Sequence, residues 1–207
     1  MAYSWKTFTI LSLSTLALAA CGSGTERSTE NAMDATRNAL SNTAEATGNM
    51  LENSSLALTP TPSPQEFADK AARSDAFEIA AAEIAAKNAA SPAVKEFAAM
   101  MAEAHKASTA ALKKAAGAAS PAITPSAALT SDQQEDLADL KKVTGDKFDK
   151  EYIDGQIDAH EDALDLMKKY AKDGEAASLK MAAAETSPVV EQHLKRAREI
   201  EKTLDKK

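Results

Sequence analysis

Apolar residues recur at helical spacing in four long stretches of this chain, and each stretch closes on residues that stop a helix. The first runs from about Gln65 to Ala89, with the stripe Phe67, Ala71, Ser74, Phe77/Glu78, Ala81 and Ile84/Ala85. Ser91-Pro92 then restarts the chain, serine as N-cap and proline at the first helical position. The second helix carries Val94, Phe97, Met101, His105, Ser108 and Leu112 and stops at Gly117. The third begins near Asp146, with Phe148, Tyr152/Ile153, Ile157, His160, Leu164, Met167 and Tyr170/Ala171 facing inward, and stops at Asp173-Gly174. The fourth region starts near Glu175, and Pro188 is expected to break or kink it. Beyond that proline Val190, His193/Leu194, Ala197, Ile200/Glu201 and Leu204 make the last stripe.

Between the second and third helices, residues 118–130 hold two prolines and little periodicity. A short helix is predicted after them, from Ser131 as N-cap to about Val143, with Leu137 and Leu140 inward. The pattern predicts an all-α protein, a four-helix bundle with a short extra helix in the long connection between helices two and three. A connection of about 28 residues can cross the length of a bundle, which is ferritin-like connectivity, whereas simple up-down bundles use short loops.

Residues 1–20 have a different pattern. Lys6 precedes a run of mainly apolar and hydroxyl residues too short to span a bilayer, as in a signal peptide. Leu18-Ala19-Ala20-Cys21 resembles a bacterial lipobox. The resemblance implies cleavage before Cys21, diacylglycerol on its sulfur and acylation of the new amino terminus, an anchor of several chains. An ordinary secretory signal followed by a chance cysteine is the alternative. Gly22 follows the cysteine, not aspartate; resemblance to Gram-negative lipoproteins then implies an outer-membrane lipoprotein facing the periplasm. Residues 21–63 are rich in Ser, Thr, Asn and Pro and read as a mostly disordered tether. Met33, Leu40, Ala44, Thr47 and Leu51 give it a thin helical stripe, and Thr59 to Pro64 is a stiff spacer. The bundle domain is residues 64–207.

Composition narrows the picture further. The chain is rich in alanine and only 4% aromatic, which favours closely packed helices over sheets. A net charge of −7 with no basic run argues against nucleic acid as a partner. The single cysteine, Cys21, allows no intrachain disulfide.

Three segments carry a family resemblance. VKEFAAMMAEAHKASTAAL (94–112), FDKEYIDGQIDAHEDALDL (148–166) and SPVVEQHLKRA (187–197) resemble the histidine-bearing segments of the bacterial envelope family called domain of unknown function 4142. The resemblance covers roughly residues 65–203. Phe77-Glu78 fits the family's first helix, while Arg73-Ser74-Asp75 stands where glycines are usual. It implies a ferritin-like fold and a secreted or lipidated protein, and brings no established activity.

The chemistry rests on four residues at mid-helix positions of apolar stripes. Glu78 and His105 each lie about 13 residues into their helices, His160 about 14, and His193 about 18 into the kinked fourth region. One carboxylate and three imidazoles can therefore meet in one layer, a donor set that suits zinc, iron or manganese. A di-iron carboxylate bundle needs Glu-x-x-His on two helices, but Ala102, Ile157 and Val190 stand three residues before the histidines. Glu103, Asp158 and Glu191, two residues before them, point to another side of the helix and are predicted to be solvated. The alternative is a buried polar layer in which Glu78 and the histidines hydrogen-bond each other, directly or with water, and fix helix register. Met100, Met101, Met167 and Met181 match core filling better than a copper site. No nucleophile–base pair, phosphate loop or CxxC is readable, so no catalytic residue is assigned. The expected protein is a lipid-anchored envelope module that binds or supports a partner and has no reaction of its own. Its contacts are the membrane, through the lipid on Cys21, and an envelope protein. Metal binding or storage through Glu78, His105, His160 and His193 is the second reading.

Overall fold

A computed structural model describes residues 60–206. The signal-peptide reading, Cys21 and the striped part of the tether lie outside these residues. The described residues are all-helical: α1 Pro64–Asn88, α2 Pro92–Gly117, α3 Ser131–Leu140, α4 Gly145–Asp173 and α5 Ala177–Leu204. None of these helices is long and apolar enough to cross a membrane.

The ends of the helices follow local chemistry. Ser63 and Glu66 form a capping box in front of α1, with Pro64 just inside it. Thr130, not Ser131, caps α3: its hydroxyl accepts from Gln133 N, and Gln133 reaches back to the cap. Ser131 also has a glutamine three residues on, but Gln134 Nε2 donates to Leu129 O at 3.1 Å, and it is Thr130 and Gln133 that close the capping box. Gly145 opens α4 with φ +72°, a conformation that favours glycine. The helix α5 runs through Pro188 without breaking. Thr186 and Ser187, in the turn before the proline, bond back to the carbonyls of Ala182 and Ala183 at 2.8 and 3.0 Å.

The helices pack as a bundle in which α1 lies against α2 and α4, and α5 against α2 and α4, with α3 covering α1 and α4. The core falls into two apolar clusters. One contains Phe77, Val94, Phe97, Met101, Phe148, Ile153, Leu194 and Ile200. The other contains Phe67, Leu112, Met167, Tyr170 and Leu179. The order in which each helix meets them gives its direction. The helices α1 and α5 run from the second cluster to the first, and α2 and α4 run the opposite way. Parallel α2 and α4 oblige the intervening chain to return along the bundle.

That return is pinned to α1. Gln65 Nε2 donates to Thr124 O at 3.1 Å, Ser126 N donates to Asp69 Oδ1 at 2.7 Å, and Arg73 Nε donates to Ala128 O at 2.9 Å. Each step of four residues on the helix, about 6 Å, matches two extended residues of about 3.3 Å. The crossing segment thus reads the polar face of α1 turn by turn. At its far end Asn88 Nδ2 donates to the carbonyls of Val143 and Lys141, closing off α3.

In the second cluster Phe67 and Tyr170 stack with centroids 3.9 Å apart. Gly174 lies against this tyrosine: a Cβ there would stand 2.6 Å from Tyr170 Cε1 and 2.6 Å from its carbonyl oxygen. The ring can turn but the carbonyl cannot. Gly174→Ala is therefore expected to destabilise the protein by about 1–3 kcal/mol, as overpacking does. Urea denaturation measures this, and an unchanged midpoint would show that the α4–α5 turn relaxes freely.

Candidate metal centre

The gap between the two apolar clusters is filled by polar side chains from all four long helices. The helix α1 contributes Asp75 and Glu78, α2 His105 and Thr109, α4 Gln156 and His160, and α5 His193, while Tyr152 of α4 belongs to the first cluster. The three imidazoles form a near-equilateral triangle. Their ring centroids are 5.8 Å (105–160), 6.2 Å (105–193) and 5.5 Å (160–193) apart. One ring nitrogen from each lies within 4.8 Å of the others.

Two of the rings are held from behind. His105 Nδ1 lies 2.9 Å from Asp75 Oδ1, and Thr109 Oγ1 donates to the other carboxylate oxygen at 3.0 Å. His160 Nδ1 donates to the carbonyl of Gln156, one turn back, at 2.8 Å. These bonds place the proton on Nδ1 and turn Nε2 inward. Nε2 of both residues is buried without a partner. A ligating histidine is built this way, with its second nitrogen bonded to a carboxylate or carbonyl.

Burial sets the protonation of the triangle. It pushes His160 and His193 down to about 4, with neighbouring imidazoles adding to the effect. Both are neutral at pH 7, the form that binds a metal. For His105 burial also disfavours the charged form. The Asp75 hydrogen bond and charge, joined by Glu78 when it is ionised, outweigh it, and its proton affinity rises. Asp75→Asn removes the charge and is expected to lower His105's proton affinity below the wild-type value. An NMR titration of the imidazole in the metal-free protein reads this directly, and an unmoved midpoint would exclude Asp75 as the group that orients the ring.

Glu78 is 1% exposed and is not one of the groups whose ligand atoms lie within 4.8 Å of one another, although it and His105 interact electrostatically. It accepts from Gln156 Nε2, and burial raises its proton affinity. The four-residue layer read from the sequence therefore divides, with the imidazoles converging and the carboxylate turned to α4. Among the described residues no direct hydrogen bond joins one imidazole to another or to Glu78. The acids at i−2 are exposed, with Glu103 paired to Lys106 at 2.8 Å and Glu191 to Lys168 at 3.0 Å. Met101 and Met167 fill the core; Met100 and Met181 are 41% and 64% exposed and do not.

The sequence reading missed Asp75. It sits three residues before Glu78, on the same face of α1, and a second acid on that stripe was the available signal.

The donor set fits a single ion. Three imidazoles leave a position open on a tetrahedral ion such as zinc, and metal–nitrogen bonds of about 2.0–2.1 Å require the rings to draw slightly inward. It does not fit a carboxylate-bridged pair. A family model described as Domain of unknown function (DUF4142) matches residues 49–200 of the chain. No curated protein and no solved structure matches it.

Proposed function

We propose that this chain, which belongs to the family described as Domain of unknown function (DUF4142), binds one first-row transition ion on His105, His160 and His193. The observation that carries the reading is the pair of inward Nε2 atoms. Each is buried and without a partner, while its ring's Nδ1 is fixed by Asp75 or by the Gln156 carbonyl. Leaving two such acceptors unsatisfied in a core is costly, and a cation shared by the triangle satisfies both. Imidazole ligands suit zinc and iron above manganese. Asp75 would hold the His105 ligand and contribute the negative charge nearest the ion.

The proposed setting is the bacterial envelope. Lipid on Cys21 would anchor the chain to the outer membrane, and residues 21–63 would tether a periplasmic bundle of ferritin-like connectivity. The crossing between parallel α2 and α4 supports that connectivity. The role that fits is metal binding or storage, with no reaction assigned to it. The residues of the layer also tie α1 to α2 through Asp75, His105 and Thr109, so they serve helix register in the metal-free protein too.

Zinc titration of the metal-free protein by calorimetry tests the reading. One zinc per chain is expected, with affinity reduced about 10–100-fold in Asp75→Asn, the usual loss on removing an orienting partner. Saturation at no defined stoichiometry, or equal affinity in the variant, would contradict it.

A further inference from the structure

Glu78 and Gln156 meet between α1 and α4 and are 1% and 2% exposed. Gln156 Nε2 donates to Glu78 Oε2. The other oxygen of each group, Glu78 Oε1 and Gln156 Oε1, is buried with no hydrogen-bond partner. Two acceptors left over from one carboxyl–amide contact have a simple complement. A carboxylic acid and a primary amide join through two bonds, N–H to C=O one way and O–H to C=O the other. One proton on Glu78 satisfies both remaining oxygens.

Among the described residues no other side chain supplies that proton. Tyr152 Oη, His105 Nε2 and His160 Nε2 are themselves buried and unpartnered, so none of them reaches Glu78 Oε1. Reversing the Gln156 amide leads to the same result. Its oxygen would then face Glu78 Oε2, and two oxygens in contact also need a proton between them.

We propose that Glu78 is a neutral carboxylic acid at neutral pH, donating Oε1–H to Gln156 Oε1, and that this pair is a proton-binding site in the polar layer. The groups that act on Glu78 come from its own helix and its two neighbours. Asp75 on α1 favours the protonated form, and His105 on α2 opposes it when charged. The α4 helix presents Gln156 and the Tyr152 phenol, whose own ionisation is disfavoured by burial and by Glu78. Burial is the largest influence on Glu78 and acts toward the neutral acid. The sign of the linkage follows. A carboxyl that keeps its proton better when folded contributes stability at low pH, and loses it as pH rises through the folded-state titration. The pair is a property of the metal-free protein and stands independently of the metal reading.

Infrared difference spectra of the metal-free wild-type protein against Glu78→Gln, at neutral pH in light and heavy water, test it. The expected result is a protonated-carboxyl carbonyl band in the wild type that shifts in heavy water and is absent from the variant. Glutamine is an isostere of the neutral acid, its N–H replacing the O–H. Glu78→Gln should therefore fold, match the wild-type melting temperature at acid pH, melt above it at neutral pH and lose the Glu78-linked pH dependence. A carboxylate band in place of the acid band would overturn the proposal. So would a Glu78→Gln protein that melts markedly lower or fails to fold.

Discussion

With zinc at a hundred times its dissociation constant, the wild-type protein is expected to melt about 5–10 °C above its metal-free form, and His160→Ala to show no shift. Mass action at that excess stabilises the folded state by about 2.7 kcal/mol. A protein of this size gains about 2–4 °C per kcal/mol. Alanine at 160 removes one nitrogen of three, and the loss should exceed the roughly 100-fold upper end for an outer-shell partner. The metal-free comparison remains valid because the variant should stay folded. It loses a hydrogen bond to the Gln156 carbonyl and some packing, and also removes a buried, unpartnered nitrogen, a net cost of about 1–2 kcal/mol. Differential scanning fluorimetry with and without zinc reads both quantities. Equal shifts in the two proteins would place the zinc elsewhere.

Asp149→Ala is expected to cost about 3 kcal/mol, the largest loss of metal-free stability among the single substitutions considered. Asp149 is fully buried and accepts from Ala90 N at 3.0 Å and Ser91 N at 2.7 Å. Ser91 stands at the N-cap of α2 and makes no side-chain cap bond of its own. A carboxylate from α4 thus serves the amides at the start of α2, where the helix dipole also favours negative charge. Alanine would leave the buried Ser91 amide with no acceptor and open a gap where the carboxylate stood. Asparagine keeps a single acceptor oxygen and should recover about half of the loss. Chemical denaturation of the two variants measures this. A loss below about 1 kcal/mol for alanine would show that water replaces the carboxylate.

Much of this architecture was legible in the pattern of apolar positions. Serine and proline at 91–92 mark the position of a helix start, although the serine hydroxyl makes no cap bond there. Val94, Phe97, Met101 and Leu112 repeat at helical spacing, and His105 lies on the same stripe, so its inward direction follows from the period alone. The convergence of three imidazoles follows from mid-helix positions at similar heights. What periodicity does not encode is contact between distant side chains and backbone. Asp149 lies within a helix, and nothing in its local pattern reveals that it serves amides 58 and 59 residues away. The ladder from Gln65, Asp69 and Arg73 to residues 124–128 pairs a helix with an extended segment, two different periods that share no pattern. Asp75 and Glu78 occupy one face of α1, yet only packing decides that Asp75 reaches His105 while Glu78 turns to Gln156. Of the break or kink expected at Pro188, the break does not occur: the missing donor costs one hydrogen bond, and contacts along the rest of α5 hold the helix continuous.

The most direct measurement is the metal content of the untagged protein, purified without chelator after growth in ordinary medium. One zinc or iron ion per chain is predicted, absent from both His105→Ala and His160→Ala. A protein that carries no metal, and takes up none on incubation with zinc, iron or manganese, would contradict the account and leave the triangle a structural layer.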